Sequence, residues 1–149
     1  MAHIHEKIDF TASVFIVHEG KVLLHLHKKI GKWLQPGGHI ELDEDPNQAA
    51  IREAKEETGL DVVLRGGPRL PELSNDPTDL VPPRYMNRHH FNETHEHIDC
   101  VYFATVVGGT LVPEEGVDMR WFSSEDLATI NLLPSVRAYA RAALEELTP

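Results

Sequence analysis

GGHIELDEDPNQAAIREAKEETGL, residues 37–60, holds a helix whose two ends are both marked in the sequence. Asp45 suits the N-cap, and Pro46 the first helical position, where a missing N–H breaks no bond. Gly59 supplies a left-handed stop, and Leu60 the apolar contact that follows one. The stretch therefore predicts a helix over 46–58. Within it Glu53, Glu56 and Glu57 fall inside about 100° of arc, and Ala49 joins their stripe, leaving room above the acids. Ile51, Ala54 and Thr58 point the other way, toward a sheet, while Gln48 and Lys55 face solvent. Arg52 stands four residues before Glu56, placed to hold that carboxylate in one rotamer.

Like charges three and four residues apart each cost up to about 0.5 kcal/mol, and the chain already carries a formal net charge of −10 at pH 7. A solvated face is the common fate of a Glu-rich helix. The competing reading is a cation site, because hard divalent ions take oxygen ligands and Mg²⁺ is held by a few carboxylates plus substrate phosphates. Helix spacing alone does not decide between them.

What precedes the helix does. Gly38, five residues, Glu44, seven residues, then Arg52, Glu53, Ala54, Glu56, Glu57, Gly59 and Leu60 follow a fixed pattern. It resembles the signature box of the Nudix hydrolases, with seven identities and Ala54 as a small member of the aliphatic class. The resemblance implies a Nudix fold and metal-dependent hydrolysis of a nucleoside diphosphate linked to another moiety, with Mg²⁺ or Mn²⁺ as cofactor. Carried over by position, Glu53, Glu56 and Glu57 would hold the metal, with Gly37 offering its carbonyl. Arg52 would orient the glutamates, and Glu44 and Gly38 would support them. Many members add one more acid from a loop outside the box. "EEGVDMRW" places Glu115 six residues before Trp121, with Glu114 as the neighbouring choice. Either Glu57 or Glu115 could be the base.

Around the box, "TASVFIVHEGKVLLHLHK" reads as two strands joined at Glu19-Gly20, and "DVVL", "HIDCVYFATVVGG" and "VDMRWFS" as further strands. "SSEDLATI" opens a short helix. Pro134 opens a last one with Val136, Tyr139, Ala140, Ala143, Leu144 and Leu147 along one side. Strands mixed with about three helices give an α/β (α+β) layered domain over residues 1–149, a mixed sheet sandwiched between helices. Residues 66–95, with five prolines, read as a long loop of the kind that binds or covers substrate.

Composition sets the exclusions. The length of 149 residues and 41% hydrophobic content fit one domain. Twenty-four acidic against 14 basic residues argue against a nucleic-acid polymer as partner. No apolar run approaches a membrane span, and the first ten residues lack an export signal's apolar core. With Cys100 as the lone cysteine, a reducing, cytoplasmic setting is expected, where the Asn92-Glu93-Thr94 sequon stays idle.

Weaker signals remain. Among ten histidines, His95 and His97 alternate with Asp99, so a strand would put all three on one face, as it would His25 with His27. A transition-metal site is one reading; a hydrogen-bonded or solvated cluster is the commoner one. Arg84, Tyr85, Arg88 and Phe91 are candidates to stack a base or clamp a phosphate. Trp33 could line the pocket, though a core anchor is commoner.

The substrate is open between a nucleoside triphosphate, a nucleotide sugar and an ADP-ribose type. Pro77 lies 17 residues past Leu60, one off the spacing of the ADP-ribose branch. Tyr85 is too far on for the dinucleoside-polyphosphate branch, and the coenzyme A motif is absent. The alternatives are a non-catalytic nucleotide-binding module, which often lacks box carboxylates, and an isopentenyl-diphosphate-isomerase-like enzyme built on Cys100, whose neighbours do not match. Many relatives are homodimers, but no surface pattern here calls for one.

Overall fold

The computed structural model describes residues 7–149. Its order is β1 Ile8–His18, β2 Lys21–His27, β3 Lys32–Leu34, β4 Gly37–His39, α1 Pro46–Thr58, β5 Leu60–Arg65, β6 Tyr85–His90, β7 Glu96–Gly109, β8 Met119–Phe122, α2 Ser124–Leu127 and α3 Pro134–Leu147. A parallel pair forms the middle of one mixed sheet, with Ile8 opposite Glu96 and Val17 opposite Thr105. Parallel neighbours need a long crossover, and α1 lies within it. The free edge of β1 takes β4 along Thr11–Ser13 and β2 at Val17–His18. The free edge of β7 takes β6 over its first half and β5 over its second. β3 and β8 extend the sheet beyond β2.

Strand alternation divides the core in two. Ala12, Val14 and Ile16 of β1 join Cys100, Tyr102 and Ala104 of β7 beneath Ala49, Ala50 and Ala54 of α1. Phe15, Val17, Val101 and Phe103 face the other way, against Val136, Ala140, Ala143 and Leu144 of α3. Both faces are covered, which is why "VFIV", residues 14–17, is a continuous apolar run rather than an alternating one. This is an α/β fold, a mixed sheet between helices, as the resemblance implies. No helix among the described residues is long and apolar enough to cross a membrane.

Two expectations are corrected. Ile51 does not pack on the sheet; it is 42% exposed, while Ala49 and Ala50 are fully buried. The helix is rotated so that three alanines meet β1, which lets its axis come close and turns the acid edge toward β4. Residues 66–95 are not all loop, because Tyr85–His90 forms β6 against Glu96–Val101. Beyond Pro83 the prolines stop and a hairpin becomes possible. Asn92 makes its turn, its Oδ1 accepting from the N–H groups of Thr94 and His95, both at 2.9 Å. The proline-rich part before β6 is docked on α1, where the Asn47 side chain exchanges two 2.8 Å hydrogen bonds with the Val81 backbone.

Candidate active site

The acid edge of α1 is fixed by the chain that enters and leaves the helix. At the entry, the Asp45 carboxylate accepts from the Gln48 N–H at 2.8 Å, and the Gln48 side chain accepts from the Asp45 N–H at 2.9 Å. This reciprocal cap satisfies two otherwise unpaired donors. At the exit, Gly59 has φ 80° and a Cβ there would lie 2.5 Å from the Thr110 carbonyl oxygen. The Val112 N–H then bonds the Thr58 carbonyl at 2.8 Å. The end of the helix is thus pinned to the segment that runs into Glu114 and Glu115.

Arg52 sits at the centre of the acids. It donates to Glu44 through Nε at 2.9 Å and Nη2 at 2.6 Å, and through Nη1 to Glu53 at 2.9 Å and Glu56 at 3.1 Å. Nη2 also reaches the His39 carbonyl at 3.1 Å, so one planar guanidinium ties β4 to three carboxylates. Those hydrogen bonds hold the Glu44 carboxyl below its usual range.

Glu57 has no such cation. Burial, then the hydrogen bond and charge of Glu53, then the charge of Glu114 push its carboxyl up to about 8, against one weak opposing bond from the Gly37 N–H. That bond is 3.4 Å long. A half-buried carboxyl among carboxylates ionises more readily when a cation stands beside it. The two glycines of β4 are steric requirements of the same place. A Cβ on Gly37 would lie 2.6 Å from the Ala12 carbonyl oxygen, and one on Gly38 would overlap the Glu53 carboxylate.

A hollow of about 140 Å³ opens at this point, lined by His25, Glu57, Glu114, Val117 and Met119. A wider one of about 360 Å³ adjoins it, lined by His25, His27, Lys28, Lys29, Glu115 and Gly116 among others. Of the two loop acids, then, Glu114 faces Glu57 and Glu115 lies in the neighbouring basic hollow. His25 escaped attention in the sequence as anything but one of a pair. Burial and His27 lower its pKa, and its Nδ1 finds no hydrogen-bond partner among the described residues.

The four side chains named for base or phosphate contact do not line either hollow. Arg84 grips Glu146 of α3 at 2.6–3.0 Å, and Tyr85 stacks on Tyr139 at 5.5 Å. Arg88 pairs with Glu96, and Phe91 stacks on His97 at 4.8 Å. Arg88 does border a third hollow, of about 530 Å³, on the α3 side of the sheet with Gln35, Asn87, Asp99 and Tyr139. Asp99, noted in the sequence only as sharing a strand face with His97, lines that hollow. Its two oxygens accept from Thr11 at 2.9 Å and Ser13 at 2.7 Å. Trp33 packs edge-on against Phe122 at 4.9 Å, an anchor rather than a pocket wall. Cys100 is buried in the α1-side core, and burial pushes its thiol up, the reverse of what a reactive cysteine needs.

A sequence model of the NUDIX domain matches residues 8–147. The chain belongs to the Nudix hydrolase family. It is similar to the crystal structure of a hydrolase, NUDIX family, from Clostridium perfringens, with 41% identity, a TM-score of 0.83 and coverage of 97% of this chain and 99% of that one. It is also similar to the "Probable DHNTP pyrophosphohydrolase" of Lactococcus lactis subsp. cremoris, 33% identical over 66% of this chain and 55% of the relative. The m7GpppN-mRNA hydrolase NUDT17 of Xenopus laevis is 32% identical over 56% of this Nudix chain and 35% of its own. The chain therefore spans about half or less of those two curated relatives' length.

Proposed function

We propose that this Nudix protein is a pyrophosphohydrolase that cleaves a phosphoanhydride of a nucleoside triphosphate with water. The observation that carries the reading is the half-buried Glu57 carboxyl, raised by burial and by Glu53 and Glu114, with Arg52 engaged by Glu44 and unable to neutralise it. The family works with a divalent metal, and the donor set fits one: carboxylate oxygens in numbers that suit Mg²⁺ or Mn²⁺ and not a soft ion. Glu53, Glu56 and Glu57, the Gly37 carbonyl and Glu114 would hold it, with Glu114 in place of Glu115 because it shares the hollow with Glu57. When bound, the metal neutralises the diphosphate and makes a water acidic enough to attack phosphorus.

The chain's own groups do the rest. Arg52 holds Glu53 and Glu56 in fixed rotamers, with Glu44 bracing it from behind. Glu57, ionised once the metal is bound, would take the proton of the attacking water. Lys28 and Lys29 receive the released phosphates in the basic hollow. Lysines in the hollow that adjoins the acids favour a triphosphate, whose distal phosphates are charged, over a nucleotide sugar or ADP-ribose, whose distal end is neutral.

The test is product analysis with Mg²⁺ and a panel of nucleoside triphosphates, nucleotide sugars, ADP-ribose and dinucleoside polyphosphates, with Glu57→Gln alongside. Metal-dependent release of phosphate or pyrophosphate from a triphosphate, lost in the variant, supports the reading. Turnover of a nucleotide sugar alone overturns the substrate class; equal turnover by Glu57→Gln overturns the site. Saturable nucleotide binding without any turnover would point to a binding module instead.

A further inference from the structure

On the face of the sheet opposite the acid helix, β1, β4 and β7 bring a second set of ligating side chains together. Thr11 pairs with His39 across β1 and β4, and Asp9 with His97 across β1 and β7. Strand alternation therefore turns Asp9, His39 and His97 to the same side. One ligand atom from each lies within 4.8 Å of the other two. The His39 and His97 rings meet edge to face at 5.0 Å. Asp9 Oδ2 lies 3.9 Å from His39 Nε2 and 3.7 Å from His95 Nε2.

We infer that Asp9, His39 and His97 form a second metal site, for Zn²⁺ or a similar imidazole-binding ion, with His95 at hand as fourth ligand. Donors around a tetrahedral zinc are separated by about 3.3 Å, given bonds of about 2.0–2.1 Å, so small side-chain rotations close the set. Two or three imidazoles and one carboxylate suit zinc, whereas the carboxylates of α1 suit Mg²⁺; the two sites sort metals by ligand type. His97 is buried, so its ring is held in place beside Asp9 and His39. Asp99 is not part of the set, because Thr11 and Ser13 already occupy its oxygens. A metal here would clamp β4 to both central strands. Since β4 also carries Gly37 and Gly38, such a clamp would stiffen the wall against which Glu53 and Glu57 rest. The site stands independently of the proposed reaction.

The experiment strips the full chain with a chelator and titrates Zn²⁺ against a chromophoric competitor. One tight equivalent is expected, retained in Glu53→Gln/Glu57→Gln. It should weaken by at least about 100-fold in His97→Ala and Asp9→Asn, beyond the 10–100-fold typical of groups that only support ligands. His39→Ala, at a largely exposed side chain, covers the case in which His97→Ala fails to fold. Co²⁺ in place of zinc should give the intense visible bands of a four-coordinate nitrogen-containing site, lost in the same variants. No tight equivalent overturns the proposal, as does zinc lost with the glutamates and kept without His39, His97 and Asp9.

Discussion

At the scale of single residues, the acid edge separates groups that act from groups that hold them. Glu57→Gln keeps the shape and a hydrogen-bonding oxygen but removes the ionisable carboxyl and with it the proposed base. Turnover should fall about 100- to 10,000-fold, while the melting temperature in the absence of metal stays level or rises, because folding no longer requires a buried carboxyl beside Glu53 to take up a proton. Steady-state kinetics beside thermal melts check both. Arg52 works through others. Its guanidinium makes five of the contacts that set Glu44, Glu53, Glu56 and β4, and lysine cannot reproduce a planar fork. Arg52→Lys should therefore cost about 10- to 100-fold in kcat/KM, the range of groups that orient metal ligands, with a raised Mg²⁺ requirement in the same assays. A full rate at the ordinary Mg²⁺ level would remove Arg52 from this role.

At the scale of elements, what matters is how α1, β4 and the loop after β7 meet. Asp45→Ala deletes the cap and should cost about 1 kcal/mol, read as a melting temperature lower by about 2–4 °C for a chain of this size. Gly38→Ala acts differently. Its new Cβ meets the flexible end of Glu53 rather than backbone, so the fold should survive while the Mg²⁺ concentration for half-activity rises. Calorimetry and a metal titration distinguish the two. Helix α1 was legible to the residue, from 46 to 58, because its cap and stop are local chemistry. So was the box, since its spacing is local too. The rotation of α1 was not: Ile51 outward and Ala50 inward depend on how near β1 lies, which no helical wheel contains. β6 was hidden for a related reason, since its partner begins only after Asn92 makes the turn. That Glu114 and not Glu115 lines the hollow with Glu57 follows the Val112–Thr58 bond that fixes the start of the loop. Neighbouring residues on a turn point apart, and sequence spacing could place the turn but not its roll.

At the scale of the whole molecule, stability, protonation and metal are linked through Glu57. Its carboxyl is raised to about 8 in the folded protein from an ordinary 4.5. The folded state thus binds that proton more tightly than the unfolded chain does, so the stabilisation is complete below about 4.5 and is lost as pH rises through 8. For this group the metal-free protein should grow less stable across that window. A divalent ion reverses the sign, because it binds the carboxylate form and must displace the proton. Mg²⁺ affinity should therefore climb as pH rises toward 8, and the melting-temperature gain from Mg²⁺ should widen with it, following mass action on the folded state alone. Melts of chelator-treated protein at several pH values, with and without Mg²⁺, measure both slopes. In Glu57→Gln both should flatten together. If the Mg²⁺ gain kept its pH dependence in that variant, the linked proton would belong to another acid of the cluster and Glu57 would lose its place as base.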